Sequence, residues 1–207
     1  MKRYGGIIIL LFIMILGIFI ISSKGKATMP ESIDEFKIDR TDPKLLIEQF
    51  YNGENNLDEN LLRQFFYGST EDMSIIKLKI KCFDINRITL DKIIKIEQKD
   101  KLAVISCSFN TFFNGIDLPR PNMEVVKLIK ETNGFYIIGN LDDIRGLSEE
   151  SKQWSENTES LLKINMWNSS IAADILDAQA DFDDNNKERL QQGSIKLKEA
   201  IKNNTEK

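Results

Sequence analysis

The side chains that could do chemistry in this 207-residue chain are few, and none is a histidine. Without imidazole there is no Ser-His-Asp or Cys-His pair, no HExxH zinc site and no histidine pH switch. Acids, tyrosines and cysteines remain. Asp84 follows Cys82 on the same strand parity, and Tyr51, Tyr67 and Tyr136 are available as phenol donors. A buried acid beside such donors could act as an acid–base pair. The ordinary alternative is that Asp84 ends a strand before a turn at Asn86, with the tyrosines half-buried in a core. No catalytic spacing joins these residues, so the chain is not expected to be an enzyme.

Asp181, Asp183 and Asn185 have the D-x-D-x-N spacing of a calcium loop. Such a loop needs Gly at its sixth position and Glu at its twelfth, where this chain has Asn186 and Gln192. The run therefore reads as a solvated bend or a helix cap. Phosphate-cradling glycine motifs are absent, and no metal or cofactor is expected. Cys82 and Cys107 both fall on the apolar parity of predicted strands. They form a candidate disulfide outside the cytoplasm, or two buried thiols; their spacing leaves both open.

The third pattern is a stripe. Trp154, Leu161, Ile164, Trp167, Ile171, Ile175 and Phe182 recur at helical spacing. One reading packs this stripe on the chain's own sheet. The other makes it a partner-binding helix or self-associating arm, because it is longer than one small domain needs.

The elements that must position these residues begin with an apolar run. Ile7, Ile8, Ile9, Leu10, Leu11, Phe12, Ile13, Met14, Ile15 and Leu16 are followed, after Gly17, by Ile18, Phe19, Ile20 and Ile21. With their uncharged flanks they make a helix of roughly 28 Å, close to a ~30 Å hydrocarbon core. No polar stripe would let it face water. Residues 1–23 are thus expected to be a signal anchor in the bilayer, with cleavage near Ala27 and secretion as the alternative. Lys2 and Arg3 favour a cytoplasmic amino terminus and a body outside the cytoplasm. A bias towards Ile, Lys and Asn suggests an AT-rich bacterial genome. The chain's 28 basic and 32 acidic residues give −4 overall, and the body without Lys2 and Arg3 carries −6. A dispersed, mildly acidic surface excludes a nucleic-acid partner.

Residues 24–42 read as a linker. Thr41-Asp42-Pro43 caps a first helix, and a second runs from about Asp58 to Tyr67. The period then changes to two. Ile76, Leu78, Ile80 and Cys82 predict one strand, with Lys77, Lys79 and Lys81 on its solvated face. Ile88, Leu90, Ile94 and Ile96 predict a second, and Ala103 to Phe113 a third. Met123–Lys130 and Phe135–Asn140 flank Asn133-Gly134, a strong hairpin signal. Residues 148–207 return to helical period. The fold expected is α+β, with two helices on a bent antiparallel sheet of about five strands over residues 43–147, then a helical extension.

Three stretches carry a resemblance: Pro43-Lys-Leu-Leu-Ile-Glu-Gln-Phe-Tyr-Asn-Gly53, Leu57-Asp-Glu-Asn-Leu-Leu-Arg-Gln-Phe-Phe-Tyr67 and the hairpin Val125-Val-Lys-Leu-Ile-Lys-Glu-Thr-Asn-Gly-Phe-Tyr-Ile-Ile-Gly139. Together they resemble the nuclear transport factor 2-like superfamily, a cone of helices packed on a bent antiparallel sheet. That likeness covers about half of the chain. It implies a non-catalytic domain behind a single bacterial membrane anchor, binding or scaffolding in an envelope assembly. Its alternative implication is a small-ligand binder, or an isomerase- or dehydratase-like enzyme using the cone pocket. The expected partners are the lipid bilayer and a protein, or a second copy, held by the carboxy-terminal helices.

Overall fold

The computed structural model describes residues 38–52, 59–68 and 71–205. The apolar run Ile7–Ile21 lies outside them. Among the described residues no helix is long and apolar enough to cross a membrane.

Three helices come first: α1 (Pro43–Asn52), α2 (Glu59–Phe65) and α3 (Glu71–Phe83). Strands β1 (Ile85–Lys99), β2 (Leu102–Phe113), β3 (Arg120–Glu131) and β4 (Gly134–Ile137) follow. A 3₁₀ turn at Leu141–Asp143 leads to α4 (Glu149–Trp167), α5 (Ser170–Asn185) and α6 (Lys187–Thr205). The strands form one antiparallel sheet in the order β1-β2-β3-β4. The architecture is α+β as expected.

One predicted strand is a helix. Ile76–Phe83 alternates apolar and lysine residues, but it forms the end of α3, and the described sheet has four strands. Lysine and leucine are good helix formers. Leu78 and Cys82, four residues apart, fall on one helical face, and with Phe83 at the helix end they join a cluster with Leu190 and Leu197 of α6. A Cβ at Gly193 would lie 2.5 Å from Phe83 Cδ1, so glycine lets α6 approach α3 this closely. The lysines expected on a sheet face therefore belong to α3.

The expected start of the first helix and the Asn133-Gly134 turn are present, whereas the expected start of the second helix near Asp58 lies outside the described residues. Asp42 Oδ1 accepts from the Lys44 amide at 2.7 Å, and Pro43 opens α1. Gly134 opens β4 with φ +108. Ile38, within the stretch read as a linker, is buried in the main core. Arg40 donates to the carbonyl of Gln64 at 2.6 Å and lies over the Tyr136 ring.

β2 is buried along Leu102–Phe109 because both sides of the sheet are covered. On one side Ala103, Ile105, Cys107 and Phe109 meet Leu46, Ile47, Tyr51, Leu61 and Phe65 of α1 and α2. The other side faces α4, whose buried residues are Ser155, Leu162 and Met166. On β1 the core-facing residues are Ile88, Leu90, Ile93 and Ile96, opposite Thr111, Phe109, Cys107 and Ile105. Strict alternation predicted Ile94 in place of Ile93. Register shifts after Leu90 and after Ile93 each insert a residue and reset the parity.

Two serines divide the helical extension. Ser148 Oγ accepts from the Ser151 amide at the start of α4, and Ser169 Oγ accepts from the Ala172 amide at the start of α5. The helix ends again at Asn186, the residue that caps α5. α5 covers the part of β3, Arg120 to Lys127, that no described strand pairs on its outer side. Gln179 Nε2 donates to the Pro121 carbonyl there at 2.8 Å. An open edge would otherwise invite pairing with another chain.

Candidate functional site

The candidate acid–base residues are held apart. Asp84 occupies the α3–β1 turn with φ +57, and its carboxylate is exposed. It accepts from Asn114 Nδ2 at 2.6 Å and from Arg189 Nη2 at 3.1 Å. The residue thus pins the turn to α6, at the rim of a shallow cleft of about 380 Å³. Tyr51 lies in the main core, stacked on Phe109 at 5.0 Å. Tyr67 and Tyr136 pack edge to face at 6.4 Å in a separate cluster with Leu102 and Ile129.

The two cysteines are also apart, and both thiols are free. Cys107 belongs to the main core, whereas Cys82 packs with Phe83 and Phe182. The candidate bridge fails because Cys82 sits on a helix rather than on a neighbouring strand. Burial pushes the Cys107 thiol up to about 12, which keeps it protonated and unreactive.

The calcium-like run is committed to structure. Asp183 accepts from Arg120 Nε at 2.8 Å and from Nη2 at 2.9 Å. Arg120 also donates to Asn122, whose amide reaches Thr111 Oγ1 at 3.1 Å. Both charges are almost wholly buried. Asp181, two residues before Asp183, is exposed. Among the described residues no group of three acids or cysteines is placed to hold a metal.

Glu124 was missed by the sequence reading. It shares the core-facing side of β3 with Asn122 and Val126, directly opposite Cys107. It is half-buried by exposed area, but protein atoms crowd its carboxyl, and this desolvation pushes the pKa from an ordinary 4.5 up to about 7. The available signal was an acid on the apolar parity of a strand. Folded Glu124 holds its proton to higher pH than unfolded Glu124. Its contribution to stability is therefore full below about 4.5 and is lost as pH rises through about 7. Urea midpoints measured between about pH 5 and about pH 8 are expected to fall, and Glu124→Gln is expected to flatten that slope. An unchanged slope in the variant would remove Glu124 as its source.

The seven stripe residues divide between two helices. On α5, Ile175 and Phe182 are buried and Ile171 is half-buried. Trp154 of α4 packs on Leu102, Ile129, Ile138 and their neighbours. The remaining three point outward: Leu161 is 56% exposed, Ile164 57% and Trp167 38%. They recur every third residue on the side of α4 away from Ser155, Leu162 and Met166. Ser160, Asn165 and Asn168 beside them are exposed and uncharged. The intervening charge, Lys163, is engaged by Glu159, which also meets Lys127 of β3 at 3.0 Å. Burial alone would raise the Glu159 carboxyl, but the bonds from Lys163 and Lys127 outweigh it and hold it below the usual range. The result is a neutral apolar ridge fixed to the sheet.

Comparison of the chain with protein-family models, with curated proteins and with solved structures finds no match.

Proposed function

We propose that this chain is a non-catalytic binding or scaffolding protein of the bacterial envelope. Residues 1–23 tether it to the membrane, and the folded body stands outside the cytoplasm. The observation that carries this reading is the ridge Leu161, Ile164 and Trp167. It is a contiguous apolar surface on a helix whose opposite face is already packed. The side of the sheet that packs on α1 and α2, where a relative of the nuclear transport factor 2-like superfamily would hold a ligand, is lined by aromatic rings. Phe50, Tyr51, Phe65, Phe66 and Phe109 occupy it. The second reading, a small-ligand binder or isomerase-like enzyme in that cone, draws on the raised pKa of Glu124.

A photo-activatable residue placed at Ile164 in the full chain tests the first reading in living cells. Adducts are expected there and not at Asp117, which lies on the β2–β3 loop. Absence of any adduct at Ile164 in correctly folded protein would sink the binding role. Mass spectrometry of the mature amino terminus tests the tether separately, since a start at Thr28 would mean a secreted protein.

A further inference from the structure

We infer that the occupant of the α4 ridge is the same ridge of a second copy, crossed antiparallel about a two-fold axis at Ile164. This rests on the reading of the ridge as a docking surface. Three features of the helix lead to a second copy rather than to a different partner.

The first is spacing. Leu161 and Trp167 lie three residues on either side of Ile164. In an antiparallel pair centred there, Ile164 meets Ile164 of the other copy, and Leu161 meets Trp167. A small side chain then faces a large one at both ends, which is the self-complementarity a two-fold interface requires. The second is polar matching. Ser160 and Asn168 are spaced four on either side of Ile164, so the same operation brings the Ser160 hydroxyl opposite the Asn168 amide. Both are exposed, and Asn168 takes a further part as the residue that ends α4. The third is charge. Lys163 is engaged by Glu159, and the neighbours Ser160, Asn165 and Asn168 carry none. Two identical faces repel when they carry net charge, and this one does not.

Three large side chains per copy fall short of the ~800 Å² per partner of a stable dimer. Association between free bodies would be weak. Two copies tethered to one membrane, however, are confined to a thin layer, which raises their local concentration above that of free bodies. A small, symmetric contact suffices under that condition.

Disulfide trapping in the full chain within its membrane tests the geometry. The parent chain sets the background, since Cys107 is buried and Cys82 half-buried. Ile164→Cys is expected to give a dimer on mild oxidation. Leu161→Cys and Trp167→Cys, carried on two differently tagged copies, are expected to pair about tenfold faster together than either does alone. Like positions are ~9 Å apart along the axis in the antiparallel arrangement, whereas a disulfide needs Cα atoms within ~7 Å. All three positions are exposed, so the substitutions leave the core intact. No Ile164→Cys dimer, or Leu161→Cys pairing with itself as fast as with Trp167→Cys, would overturn the antiparallel pair. So would trapping of the chain's own amino-terminal segment or of another protein. A photo-adduct at Ile164 with a different protein would leave the binding role standing and remove only the second copy.

Discussion

Asp183→Ala is expected to destabilise the fold by about 3–5 kcal/mol, the range for breaking one side of a buried ion pair. The alanine would remove the carboxylate to which the Arg120 guanidinium, 2% exposed, donates two bonds at 2.8 and 2.9 Å. Most of the cost is that of a buried charge deprived of this carboxylate, with Asn122 still accepting from it, not the intrinsic strength of the bridge. Asp183→Asn keeps the shape and one acceptor, so its loss is expected to be smaller. Urea unfolding of the three proteins provides the measurement. A loss under about 1 kcal/mol for the alanine would class the pair with exposed bridges and contradict its burial. The position matters for architecture as well. Arg120 starts β3 and Asp183 lies near the end of α5, so the pair fastens the helical extension to the sheet. Loosening it should raise amide exchange along α5 before it does so in β2.

Phe65→Ala is expected to cost a similar ~3–5 kcal/mol and to lower the thermal midpoint by about 10 °C. Phe65 is wholly buried on α2, with its ring edge-on to Phe50 at 5.4 Å. The loss combines transfer of the ring to water with the cavity left among Leu46, Ile47 and Ile105, which belong to the same core. This substitution also separates the two functional readings. If the side of the sheet under α1 and α2 is a packed core, the cavity should be dry and should bind a small apolar probe that the parent chain excludes. A parent chain that already binds the probe, or a variant within about 1 kcal/mol of it, would indicate an open cone and favour the ligand-binding alternative.

Several elements were readable because their signals are local. Proline after Asp42 starts α1, and the residues around Asn133-Gly134 form the β3–β4 hairpin. Both depend on backbone geometry that a few side chains dictate. The lysine-alternating stretch was misread for the opposite reason. Its period of two is a strand signal only if one side meets a sheet, and α3 instead meets α6, some 110 residues later in the chain. The helical break at Asn168-Ser169-Ser170 did have a local signal, three residues of capping type in a row. It was hidden because the apolar spacing runs straight across it from Trp167 to Ile171.

The candidate sites followed the same division. The absence of histidine, the failed calcium loop and the missing phosphate motifs are properties of the sequence, and no fold can supply side chains that are not there. The apolar stripe, too, was visible as a spacing. Only the tertiary structure decided which residues of that stripe are spent and which are left over. Ile175 and Phe182 are consumed by the molecule's own packing, while Leu161, Ile164 and Trp167 are not. It likewise turned Asp183 from a calcium-like acid into the partner of Arg120, and it crowded Glu124 among atoms that do not solvate a charge. Burial depends on what the rest of the chain brings near, and periodicity along one segment carries no record of that.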